Sequence, residues 1–187
     1  MAGLGDPAGW VWINQVHGIR VHLALAPTGT VTPEADAAVT AVRGLPLAVV
    51  TADCAPIALA NDTAVGVVHA GHRGLELGVI EAAVAAVREI GTGAVRAYLG
   101  PCIHVDRYEF GAEDLERLVA RFGSEVEGHT LTGRPALNIP VAVRRALEEC
   151  GVNDFHDSGV CTSESEAHFS YRRDGLTGRQ VTIAVLP

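Results

Sequence analysis

Between Leu45 and Gly74 the chain reads LPLAVVTADCAPIALANDTAVGVVHAGHRG, and the apolar runs inside that stretch are short and closely spaced. Leu47 to Val50, Ile57 to Ala60 and Val65 to Val68 are each bounded by turn residues, which suits buried strands better than helices. The first run ends at Thr51-Ala52-Asp53-Cys54. The last delivers His69 into the turn Ala70-Gly71-His72-Arg73-Gly74, where a helical pattern begins. A thiol and an imidazole fifteen positions apart therefore fall at strand ends. A second imidazole, His17, lies thirty-seven residues ahead of Cys54 in Asn14-Gln15-Val16-His17-Gly18.

The flanks extend this pattern. Trp10 to Val16 and Ile19 to Leu25 read as strands around a short turn at His17, and Ala35 to Val42 leads into another. From Leu75 to Ile90 the period is helical, with Leu77, Ile80, Val84 and Val87 on one stripe, until Gly91 and Gly93 stop it. Val95 to Leu99 is a further strand and Ala112 to Phe122 a second helix. Residues 128–135 read as a surface loop. Pro140 opens a third helix with Val143 and Leu147 inward, and short strands follow around Val160 and at Val181 to Leu186. Strands outnumber helices and often follow one another. The expectation is one α/β domain over residues 1–187, with helices packed on a mixed sheet.

Composition narrows the chemistry. The net charge of −8 argues against a non-specific nucleic-acid partner or an acidic membrane surface. All 14 basic residues are Arg, so a Lys nucleophile, a Schiff base and a Walker A loop are excluded. Cys54, Cys102, Cys150 and Cys161 are widely spaced without a CxxC pair, unlike a disulfide scaffold or a zinc ribbon. No apolar run reaches membrane-spanning length, and the first residues lack a secretory leader pattern. The expected compartment is the reducing cytoplasm. Oligomeric state leaves no mark in the sequence.

Cys54, His69 and His17 admit three readings. As metal ligands, a thiolate and two neutral imidazoles would leave a fourth zinc position for water, whose pKa then falls toward about 7. As a thiolate–imidazolium pair, Cys54 and His69 would make a hydrolase or deamidase. As packing residues, they would be a small core thiol and hydrogen-bonded turn histidines. Arg73, with the amides of Gly74 to Glu76 at the helix start, and the pair Arg172-Arg173 are candidate anion holders. A solvated or carboxylate-paired arginine is the plain alternative. Asp36 could orient a ligating imidazole, and Asp53 reads as a structural or supporting carboxylate. His22, His72, His104, His129, His156 and His168 read as surface or structural residues, and the other three cysteines as packed thiols.

At these residues the chain resembles the bacterial laccase-domain family, also called the multicopper polyphenol oxidoreductase or purine nucleoside phosphorylase family. The resemblance runs through Gln15-Val16-His17-Gly18, Asp36-Ala37-Ala38-Val39-Thr40, Thr51-Ala52-Asp53-Cys54-Ala55-Pro56-Ile57 and His69-Ala70-Gly71-His72-Arg73-Gly74. It continues in Leu99-Gly100-Pro101, Tyr108-Glu109, Cys161-Thr162, Phe169-Ser170-Tyr171-Arg172-Arg173-Asp174 and Thr177-Gly178-Arg179. It implies an α-β sandwich like the cysteine-hydrolase domain of the cytotoxic necrotising factors, and a zinc or copper site at His17, Cys54 and His69. It also implies phosphorolysis of adenosine, inosine and methylthioadenosine, with adenosine deamination. Two departures stand out. The family usually has Trp where His72 stands, and it usually carries an Arg/Gly-rich piece and an Asn ahead of the first motif. Either a start upstream of Met1 or a pocket lacking part of its wall would follow.

Four functions are thereby set against one another. Phosphorolysis needs an in-line phosphate and a stabilised leaving base, with Arg73 or Arg172 as the phosphate holder. Deamination needs a proton carrier; no HxE motif occurs, and Glu109 beside Tyr108 is the candidate. A copper phenol oxidase would want HxH pairs and an axial Met, whereas the chain has no HxH and Met1 alone. A metal-free Cys–His deamidase and a non-catalytic remnant complete the set.

Overall fold

The computed structural model describes residues 4–187. Its centre is a six-stranded mixed sheet in the order β1-β2-β5-β4-β6-β9. These strands are β1 (Val21–Leu23), β2 (Ala37–Thr40), β4 (Ala55–Ala60), β5 (Val65–Ala70), β6 (Arg96–Leu99) and β9 (Asp154–Asp157). The outer pairs β1–β2 and β6–β9 are parallel and the inner pairs antiparallel. Helices α2 (Val79–Ile90) and α4 (Ile139–Glu149) pack on one face, and the antiparallel pair of β3 (Leu47–Thr51) and β10 (Gln180–Ala184) packs on the other. Two apolar cores result. Val39, Ile57 and Val68 meet Ile80, Val84 and Leu147 beneath the helices, while Ala38 and Val67 meet Leu47 and Val49 on the far side. Alternate side chains of β2 and β5 feed opposite cores, so both strands are buried throughout. The α/β class with a mixed sheet and packed helices is as the sequence implies.

Several boundaries differ from expectation. Residues 10–16 form no strand; only Val11 and Asn14 bridge, to Leu47 and Glu34. The expected loop at 128–135 is a hairpin of β7 (Glu127–His129) and β8 (Pro135–Leu137). The strand sought around Val160 lies earlier, as β9, whose polar residues mask it at the sheet edge. Helix α3 (Ala112–Phe122) stands where periodicity put it. A short α5 (Tyr171–Asp174) follows the aromatic motif.

The long helix is the instructive case. It starts earlier, as α1 (His72–Leu77), and breaks at Gly78, whose φ of 98° is left-handed and closed to most side chains. The break shifts the phase of the apolar stripe. Leu75, Val79 and Ile80 turn inward, while Leu77 is 60% exposed and leaves the stripe assigned to it. No helix among the described residues is long and apolar enough to cross a membrane.

The two leucine-type positions should therefore behave differently. Ile80→Ala is expected to destabilise by about 2–5 kcal/mol, and Leu77→Ala by less than about 0.5 kcal/mol. Urea unfolding of both variants checks the register, and equal losses would restore the unbroken helix.

Candidate metal centre and its cleft

Three loops converge at one end of the sheet. His69 is the penultimate residue of β5, the β3–β4 connection carries Asp53 and Cys54, and the segment ahead of β1 carries His17. Two of these loops contain the only non-glycine residues with left-handed φ among those described, His17 at 59° and Asp53 at 99°. Such conformations cost about 1–3 kcal/mol each and persist only when surrounding bonds impose them.

Those bonds come from two buried carboxylates. Asp36, fully buried beside β2, accepts from the backbone N–H of Val16 (3.2 Å), His17 (2.9 Å) and Gly18 (2.7 Å), and from His69 Nδ1 (2.8 Å). It thus sets the His17 turn and aims the His69 ring, leaving Nε2 free. Asp53 accepts from Thr162 Oγ1 (2.7 Å) and from the Arg172 backbone N–H (2.6 Å), binding the Cys54 loop to α5.

The result is a compact donor group. One ligand atom each from His17, Cys54 and His69 lie within 4.8 Å of one another, a group that could hold a metal ion. The imidazoles meet nearly edge to face, centroids 4.7 Å apart. Gly71 lets them close: a Cβ there would stand 2.6 Å from His17 Nδ1 and 3.3 Å from Cys54 Sγ. Two imidazoles, a thiol, an oriented second nitrogen and a side-chain-free wall fit a nitrogen–sulfur metal site. The identity of the ion is not written in the geometry.

Electrostatics tune the two imidazoles in opposite directions, His17 down and His69 up. Burial and the neighbouring His69 hold the His17 imidazole below its ordinary value, so it stays neutral and able to bind an ion. Burial alone would lower His69, but hydrogen bonding and charge from Asp36 and Cys54 outweigh it and raise His69 to about 9. Burial would raise Asp36, yet the bonds from His69, Gly18 and Val16 bring it below the carboxylate norm.

The donor group opens into a cleft of about 620 Å³, a size that suits a small ligand. The cleft is also lined by Thr51, His72, Tyr108, Tyr171, Arg172 and Arg179. Arg172 is held there: Nη1 donates to the Glu109 carbonyl (2.8 Å) and the guanidinium lies 4.8 Å from the Tyr108 ring centroid. Gln15 braces the opposite wall with both amide atoms on the Val50 backbone. Arg73 is exposed on α1, outside the lining residues, and the Glu109 carboxylate pairs with Arg134 (2.7 Å). His72, read from sequence as structural, lines the cleft with its ring against Phe110. Arg179 was not singled out; its place in Thr177-Gly178-Arg179 was the available signal. The remaining cysteines are free, and burial pushes the Cys102 thiol far up, as for a packed thiol.

Comparison with known proteins gives the family. Residues 1–187 match the family model described as multi-copper polyphenol oxidoreductase laccase, and the chain belongs to that family. A Streptomyces coelicolor protein named purine nucleoside phosphorylase is 46% identical, covering 93% of this chain and 74% of the relative. A Xylella fastidiosa protein of the same name is 36% identical, covering 97% of this chain and 74% of its own. Among solved structures, Bacillus licheniformis YfiH superposes with a TM-score of 0.87 at 27% identity, over 97% of this chain and 76% of the other. Geobacillus stearothermophilus YlmD gives 0.85 at 30% identity, over 96% and 74%.

Two measurements test the centre. Asp36→Asn is expected to weaken zinc binding about 10- to 100-fold, read by competition with a chromophoric chelator. A proton on the metal-free His69 site competes with the ion below a pH of about 9. Apparent affinity should therefore rise with pH up to that value and flatten above it. A pH-independent affinity would remove His69 from the ligand set.

Proposed function

We propose that this laccase-domain protein is a metal-dependent purine nucleoside phosphorylase, acting on adenosine, inosine and methylthioadenosine with adenosine deamination as a side activity. The observation that carries the reading is the cleft, lined by the His17–Cys54–His69 group and by Arg172 and Arg179, in a chain whose relatives bear the phosphorylase name. In phosphorolysis a phosphate oxygen attacks C1′ as the bond to the purine nitrogen breaks. The base leaves with the electron pair and takes up a proton, giving free base and ribose 1-phosphate.

Arg172 is the proposed phosphate holder. Its guanidinium is fixed by the Glu109 carbonyl and the Tyr108 ring before substrate arrives, so little orientation is lost on binding. Glu109 then serves through its carbonyl rather than as proton carrier. Arg73 contributes charge near the site, felt by His17 and His72. Burial pushes the Tyr108 phenol well above its usual range, keeping it a neutral hydroxyl in the cleft. Zinc suits the two imidazoles and thiolate and, when bound, supplies Lewis acidity toward the leaving base.

One observation favours a second reading. The buried Asp36–His69 pair beside Cys54 is also how a metal-free thiolate–imidazolium hydrolase would be built. The two readings place opposite demands on the thiol, so one experiment separates them. Adenosine with phosphate should give adenine and ribose 1-phosphate; a chelator should abolish turnover and zinc restore it. Alkylation should be slow on the loaded protein and fast on the stripped one. Arg172→Ala should raise the phosphate KM about tenfold or more, since a charge-assisted contact is lost. Turnover that resists chelator but dies on alkylation would overturn the metal-dependent reading in favour of a cysteine-centred one.

A further inference from the structure

Among the described residues, nearly every aromatic ring is already engaged. Trp10 stacks on Trp12 and Tyr98 on His156, while Phe110 sits between His72 and Tyr108. Guanidinium groups lie over Phe122, Phe155 and Tyr108, and the Phe169 ring lies against the Gly178 backbone. Among the described residues, the Tyr171 side chain has no ring, cation or hydrogen-bond partner. It is 59% exposed, and it lines the cleft above the donor group.

An aromatic face left open to water at a cleft rim is a ready surface for a flat apolar partner. The backbone beneath it is unusually well held. Ser170, fully buried, caps α5 by accepting from the Arg173 N–H, and the Arg172 N–H binds Asp53, next to Cys54 in the metal-site loop. The Arg173 guanidinium donates to three carbonyls, those of Thr162, Ser165 and His168. Position 171 is therefore tied to the donor group through a single carboxylate, at a fixed separation from it. Ile13 and Val50 supply apolar lining in the same cleft.

We infer that Tyr171 is the platform on which the nucleobase of the substrate stacks, and that it sets the preference for purines over pyrimidines. This deepens the phosphorylase reading and rests on it for the identity of the substrate. Stacking scales with overlapping π surface, so a bicyclic base gains more than a monocyclic one, and each base–aromatic stack is worth roughly five- to hundredfold in affinity. The Tyr108 ring is already engaged, by the Arg172 guanidinium and by Phe110.

The test uses the zinc-loaded protein. Tyr171→Leu should raise the adenosine KM about tenfold or more while leaving the phosphate KM and zinc content unchanged, and Tyr171→Phe should recover most of the loss. The ratio of adenosine to uridine affinity should narrow in the leucine variant. Adenosine binding by equilibrium dialysis, without phosphate, keeps the inference separate from the reaction. Weaker binding in Tyr171→Leu than in the parent protein sustains the platform even if no ribose 1-phosphate forms. Equal binding in both, a rise in the phosphate KM alone, or no adenosine binding by the parent would overturn it.

Discussion

The whole site hangs on one buried carboxylate. Asp36 has no contact with water and accepts four hydrogen bonds, three from consecutive amides at residues 16–18 and one from His69 Nδ1. A buried charge is tolerable only when its lone pairs are filled by oriented donors. Here those donors belong to two different potential ligands. The three amides hold His17 in a left-handed conformation it would otherwise avoid, and the imidazole bond selects the His69 tautomer. Removing the carboxylate would orphan three amides, release a strained turn and free a ring in one step. His17 and His69 could not hold their present relation to each other without it.

Asp53 does the same for the other half of the cleft. Its left-handed backbone turns the Cys54 loop, while its carboxylate ties that loop to Thr162 and to the start of α5. The side of the cleft with Arg172 and Tyr108 is thereby coupled to the donor group through one residue adjacent to Cys54. Both carboxylates lie outside the donor group, yet both decide its shape. Asp36 bonds a histidine and Asp53 accepts from an amide and a hydroxyl, so the lone pairs of both carboxylates are engaged by the protein.

Much of this was legible in the chain. The short apolar runs at Leu47, Ile57 and Val65 became β3, β4 and β5, because a strand buried on both faces has no polar alternation to hide it. Helix α3 and the Pro140 start of α4 were equally clear, being amphipathic and flanked by breakers. The break at Gly78 was not, since one glycine within a helical pattern does not announce a change of phase. It moved Leu77 to solvent and put His72 in the first turn of α1, beside the cleft. β9 escaped notice because an edge strand reading Asp-Phe-His-Asp offers a single apolar residue as signal.

By itself, then, the sequence determined the residue types available for chemistry and their placement at strand ends. Arginine was the sole cation, and one thiol and two imidazoles lay in motifs of the laccase-domain family. Which of them meet was a tertiary matter. Arg172 and Arg179 reach the cleft and Arg73 does not, although all three follow turn residues. Glu109 contributes a carbonyl while its carboxylate turns to Arg134. The reason is physical: these outcomes depend on hydrogen bonds between residues 19 to 119 positions apart, from the amide of His17 to Asp36 and from that of Arg172 to Asp53. Local pattern reports which face a side chain can take. Only the closed fold decides what stands opposite.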